Sequence, residues 1–190
     1  MKFLIQVVTF FILGSMQIWA ETTEQIVEKP KEQPAIDWSS PNDIKKHMVY
    51  KLIPIKGEGT FAPNLALSNP SLSENFSDIY LARTESFDDG EIFTLFVTAL
   101  YNDTDWHNYT GVSSPRADDL SFTALTKKEH GCDNKNLCKY EENLSIEIGF
   151  IEIIDSLTTS LDLTLIGTKN HHIKIPGSYL LAIMRTIRSE

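Results

Sequence analysis

The chain predicts an all-β domain, mainly an antiparallel β-sandwich, closed by a C-terminal α-helix. Three observations carry this. Beyond His47, segment after segment alternates apolar and polar residues with a period of two. No long helical segments separate those stretches, which argues against a parallel α/β sheet. Only after Pro176 does the apolar spacing become helical.

The N-terminus reads as an export signal over residues 1–20. Lys2 gives a positive start, and Phe3 to Leu13 is apolar apart from Gln6 and Thr9. Ala20 offers a small residue for cleavage ahead of Glu21. The uncharged run Phe3–Ala20 is 18 residues, the low edge of a membrane span, so a retained anchor is the alternative. No Cys lies near position 20 to take a lipid. The expected location is periplasmic or secreted, with no stable membrane insertion once the signal is cleaved.

Residues 21–41 read as an acidic, Pro-containing disordered linker, because Glu, Lys, Gln and Thr bury too little apolar surface to offset ordering entropy. Trp38 either docks on the domain or marks the end of the linker. Residues 42–190 form the single sandwich domain. Ser40-Pro41-Asn42-Asp43 suits a short helix start, with Ser as cap and Pro in the first turn.

Glu91 to Tyr101 is the clearest strand. Phe93, Leu95, Val97, Ala99 and Tyr101 share a fully apolar face, and the other face is half apolar, as in a central strand. Asp88-Asp89-Gly90 is turn chemistry, with Ile79–Arg83 as the hairpin partner. Leu120/Phe122/Ala124, Leu144/Ile146/Ile148/Phe150 and Leu161/Leu163/Leu165 alternate in the same way, each hiding one face, and Ile173 and Ile175 make a last short strand. Tyr179, Leu180, Ile183, Met184 and Ile187 then recur at helical spacing behind Pro176 or Ser178, with Arg185 and Arg188 near the helix end. That helix closes one end of the sandwich. A partner- or membrane-binding role has little support from two basic residues.

Formal net charge is −9, and removing residues 1–20 takes away one Lys and no acid. That balance argues against nucleic acid and against an anionic membrane face. Cys132 and Cys138 enclose the polar segment DNKNL. In an oxidising compartment they read as a disulfide, and their spacing with His130 fits none of the usual zinc patterns.

The candidate ligand loop follows the best strand. It holds Asp103, Asp105, Trp106, His107 and Tyr109, with aromatics to stack on a sugar or peptide and carboxylates to take hydroxyls. The competing reading folds Trp106 and Tyr109 back into the sandwich as core. No calcium-loop pattern with a central Gly is present. His171-His172 reads as a polar turn, since strand neighbours point to opposite faces and do not share a metal. No nucleophile-elbow, zincin, dinucleotide or P-loop pattern occurs, so no catalytic residue, metal or cofactor is assigned. Sequons at Asn75, Asn102, Asn108 and Asn143 are read as composition.

The stretch LFVTALYNDTDWHNYTG, the pair Cys132 and Cys138 followed by Lys139-Tyr140-Glu141-Glu142, and the closing IPGSYLLAIM resemble a group of small exported proteins of Gram-negative bacteria, many of them lipoproteins. The resemblance covers about half the chain. It implies a β-sandwich in the cell envelope and no particular reaction, and it supplies no functional residues. The expected role is a non-catalytic binding or structural module with an envelope protein or a glycan as partner. The alternative is an exported hydrolase with Asp103, Asp105 and His107, joined by His130.

Overall fold

The computed structural model of the chain describes residues 35–53, 57–86, 90–117, 120–134 and 136–186. The export signal, linker residues 21–34, the turn residues Asp88 and Asp89, and Ile187 and Arg188 lie outside the described residues.

Helix α1 (Pro41–Lys46) starts as its sequence dictates. Ser40 caps it, accepting from the Asp43 N–H at 3.3 Å, and Pro41 occupies the first turn. Just before it, Ile36 and Trp38 pack against the core. The Trp38 ring lies 6.3 Å from that of Tyr179, and its carbonyl accepts the Ser178 hydroxyl at 2.7 Å. The docking alternative for Trp38 is therefore the one the molecule adopts.

Six strands form the larger sheet in the order β1-β2-β3-β4-β7-β6, every neighbour antiparallel. They are β1 (Val49–Ile53), β2 (Gly57–Phe61), β3 (Phe76–Ser86), β4 (Gly90–Asp103), β6 (Leu120–Cys132) and β7 (Cys138–Ile148). The smaller sheet has the order β5-β8-β9, with β5 (Gly111–Ser113), β8 (Ser160–Ile166) and β9 (His171–Pro176). A 3₁₀ turn (Leu65–Ser68) and α2 (Pro70–Ser73) link β2 to β3. Helix α3 (Phe150–Ser156) links β7 to β8, and α4 (Gly177–Met184) follows β9. The architecture is thus mainly β, a two-sheet sandwich with a short C-terminal helix.

The core follows the period of two. Phe93, Leu95, Val97, Ala99 and Tyr101 of β4 point inward beside Leu144, Ile146 and Ile148 of β7. Leu161, Leu163, Leu165, Ile173 and Ile175 supply the smaller sheet's contribution to the same cluster. Each such side chain contributes about 1.5–3 kcal/mol of apolar burial. Helix α4 buries Tyr179, Leu180, Ala182 and Ile183, and the Tyr179 hydroxyl donates to the Pro63 carbonyl at 2.7 Å. Gly177 starts that helix because a Cβ there would lie 2.3 Å from the Leu157 carbonyl oxygen.

Three expectations need correction. Phe150 does not end a strand: β7 stops at Ile148, Gly149 caps α3, and Phe150 lies on that helix, 48% exposed. The run FIEII is apolar at helical as well as alternating spacing, and periodicity over so short a stretch does not separate the two. Strand β6 does not hide one face along its length. Leu120 and Phe122 are half-buried, but residues from Thr123 to Cys132 are exposed. β6 is an edge strand of the larger sheet, and alternation in sequence does not report what covers a strand. His171-His172 is not a turn but the start of β9, with His171 half-buried and His172 exposed.

Candidate functional site

Strand β4 delivers Asp103 to one end of the sandwich, where the chain turns through residues 104–110 before β5. That loop and the β8–β9 turn face each other across an open cleft of about 500 Å³. Asp103, Trp106, His107 and Asn108 line one side with Thr104 and Asp105, and Thr168 and Lys169 line the other. Of the five loop residues singled out from sequence, four therefore line the cleft. Tyr109 lies beneath it, 1% exposed.

The loop is held down by a buried carboxylate. Glu142 of β7 is 0% exposed. Its Oε1 accepts the Tyr101 hydroxyl at 2.5 Å and the Asn108 N–H at 3.0 Å. Its Oε2 accepts the Tyr109 N–H at 3.3 Å and faces the Lys127 ammonium at 2.9 Å. Burial alone pushes this carboxyl up, but the bonds from Tyr101, Lys127 and the loop amide hold it below its usual value. Lys127 also donates to the Asn108 side-chain oxygen at 2.8 Å. Asn108 adopts a positive φ of 49°, a conformation that Asn tolerates better than most residues, and so turns two consecutive N–H groups toward one carboxylate.

Above Glu142 the rings stack. The Tyr101 and His107 rings are 3.5 Å apart and within 4° of parallel, and His171 of β9 lies 4.8 Å beyond His107. The Tyr101 hydroxyl accepts the His107 backbone N–H at 2.8 Å. His107 Nε2 meets the Asp103 carboxylate at 3.0 Å, and Nδ1 meets the Tyr109 hydroxyl at 3.1 Å. That hydroxyl also reaches His171 Nδ1 at 2.8 Å. Lys169 pairs with Asp103 from the opposite side of the cleft. Hydrogen bonds from Lys169 and His107 hold the Asp103 carboxyl far below its usual range. Burial, then the Glu142 charge, pushes the Tyr109 hydroxyl up, and burial with the neighbouring His107 lowers His171. Asp103 is therefore ionised, and His107 presents a protonated Nε2 to it.

The β8–β9 turn is fastened to the loop backbone. The Thr168 N–H donates to the His107 carbonyl at 2.6 Å, and its hydroxyl reaches the Trp106 and His107 carbonyls at 3.0 and 3.1 Å. Gly167 makes this approach possible, because a Cβ there would sit 2.4 Å from the His107 carbonyl oxygen. Trp106 is half-buried, its ring 4.4 Å from Tyr140. Asp105 is exposed. Both earlier readings of the loop thus describe parts of it: Tyr109 is core and Trp106 packs half-buried against it, while Asp103, Asp105, Trp106 and His107 line the cleft.

Cys132 and Cys138 form the disulfide, joining β6 to β7 at a point where Cys138 also pairs with Asp103. Glu129 is grouped with these two sulfurs, but both are committed to each other. His130 is not at the cleft; it pairs with Glu141 at 2.7 Å on the hairpin. Tyr101, Lys127, Glu142, Lys169 and His171 complete the site and were not assigned to it from sequence. For Glu142 a signal existed. It shares the parity of Leu144, Ile146 and Ile148, so the period of two places an acid on a buried face. The chain matches no family model, no curated protein and no solved structure.

Proposed function

We propose that the chain is an exported protein, periplasmic or secreted, whose sandwich acts as a non-catalytic binding module through this cleft. The ligand class is a polar, hydroxyl- or amide-rich one, a glycan or an extended segment of an envelope protein. One observation carries the reading: every polar atom of the His107 ring is consumed internally. Nε2 is bonded to Asp103, Nδ1 to Tyr109, and the side chain is 4% exposed. An Asp-His pair becomes a general base only when its second nitrogen faces a nucleophile. Here that nitrogen faces a tyrosine that is itself 1% exposed. The cleft presents the Asp105 carboxylate, the Asn108 side chain and Trp106, polar and aromatic groups that suit a hydroxyl- or amide-bearing ligand.

The disulfide fits an oxidising compartment. Among the described residues no helix is long and apolar enough to cross a membrane. The test is a screen of soluble glycans and envelope-derived peptides at pH 7.5, read by indole fluorescence and then by calorimetry. Saturable binding that Asp105→Ala weakens at least tenfold supports the reading. Turnover of chromogenic esters or glycosides that His107→Ala abolishes would replace it with the hydrolase.

A further inference from the structure

His107, Tyr109 and His171 share their protons in a fixed order. With both imidazoles neutral, Asp103 holds the proton of His107 on Nε2, so Nδ1 accepts the Tyr109 hydroxyl proton. The Tyr109 oxygen then accepts Nδ1–H of His171. One further proton fits. It enters at His171, the more exposed ring, and the hydroxyl bridge passes one on, so that His107 becomes the cation beside Asp103. Tyr109 now donates to His171 Nδ1, and His171 keeps its proton on Nε2.

A second proton does not fit. Both Nδ1 atoms then carry protons aimed at one oxygen, and the Tyr109 hydroxyl proton loses its acceptor in a site 1% exposed. Two cationic rings also lie stacked 4.8 Å apart. Neighbouring charges offer no relief. From β4, Asp103 is already paired with Lys169 of the β8–β9 turn. From β7, Glu142 is paired with Lys127 of β6 and bonded to Tyr101. Tyr140 approaches only the far side of Tyr101, and β3 offers only the Phe76 ring, edge-on to His171. Of the groups that act on His171 itself, the charges of His107, Lys169 and His172 oppose its protonation, and only the Lys169 backbone favours it, against the larger effects of burial and His107.

We propose that the cleft loop is an acid-operated latch, closed while the His107–Tyr109–His171 relay holds at most one extra proton and released when a second binds at His171. This rests on reading the cleft as the binding surface and gives that surface a regulation. The sign follows from linkage. The open loop takes up protons at the ordinary histidine value, the closed loop only below it. The open fraction therefore rises as pH falls below about 6.5, by roughly tenfold per pH unit until the closed form also protonates.

The test needs no ligand, so its failure and the failure of the binding reading are separate results. Amide exchange is followed on the full chain from pH 7.5 to 5.0. Protection factors for the latch amides Thr168 and Asn108 are expected to fall about tenfold per unit below pH 6.5, while that of Val97 in β4 holds. His171→Gln, which cannot titrate, should abolish the slope. Should that variant fail to fold, the titration of the histidine Cε1 signals in the wild type decides: opening must follow the second proton. Protection that holds while both rings titrate, opening with the first proton, or an unchanged slope in His171→Gln overturns the latch.

Discussion

Replacing Glu142 by Gln leaves the shape of the buried side chain and removes its charge. One acceptor oxygen survives, and the other becomes an NH₂ group. Whichever way the amide turns, a donor then faces donors: the Tyr109 N–H and the Lys127 ammonium on one side, or the Tyr101 hydroxyl and the Asn108 N–H on the other. Glu142 is fully buried but Lys127 is 38% exposed, so water offsets most of the loss of the ion pair itself. Hydrogen bonds to a charged acceptor contribute roughly 1.5–3 kcal/mol each, so losing two costs about 3–6 kcal/mol. We expect Glu142→Gln to lower unfolding free energy by about 4 kcal/mol, and Tm by roughly 8–16 °C for a domain of this size. Urea denaturation followed by circular dichroism measures it, with an unchanged m-value showing that the same surface unfolds. Lys127→Met in the Glu142→Gln background should cost less than Lys127→Met alone, since the partner charge has gone. A loss below 1 kcal/mol for Glu142→Gln would refute the view that this carboxylate holds the loop.

Three further outcomes are expected. Reducing Cys132–Cys138 should cost about 2 kcal/mol in the chain-entropy account of so short a loop, measured by urea denaturation with and without reductant. Gly167→Ala should lower stability by about 1–3 kcal/mol through the collision with the His107 carbonyl and raise exchange of the Thr168 amide, while a neutral result would mean that the turn shifts freely. Asp103, Glu141 and Glu142 are all held below their ordinary values, so the unfolded chain binds more protons in acid. Stability should be full above about pH 4.5 on their account and fall as pH drops through their folded values, with His171 adding a shallower loss that begins near pH 6.5. Thermal unfolding at pH 3, 5 and 7 checks the order.

The strands were legible because burial of one sheet face writes a period of two into the chain, and Phe93 to Tyr101 show it without interruption. The C-terminal helix was legible for the same reason at a different period. Helix α3 was not, because seven residues are too few for periodicity to choose, and its Phe150 and Ile151 face solvent against their hydropathy. The cleft was half legible. A loop rich in acids and rings after a core strand marks itself, but its supports are single residues whose meaning depends on register. Lys127 reads as an ordinary strand residue, and the parity of Glu142 marks only an acid on a buried face, until β6 pairs with β7 and sets the two opposite each other. Thr168 and Lys169 have no sequence signal at all, and the pair His171-His172 stands out in the sequence but reads as a polar turn, since only the smaller sheet's placement brings these residues to the loop.

The way the loop is fastened also bears on when it can form. Glu142 reaches Asn108 and Tyr101 across 34 and 41 residues, and Tyr109 reaches His171 across 62. None of these partners is local, so loop-closure entropy must be met before any of the bonds is gained. A chain growing from its N-terminus carries residues 104–110 as an unsupported segment until β7 has paired and β9 has arrived. The cleft is thus among the last features to assemble. A truncation between Ile148 and Lys169 leaves strands β3, β4 and β7 able to pair yet deprives the loop of its opposite wall, which makes binding at this site a reporter of complete folding rather than of sheet formation.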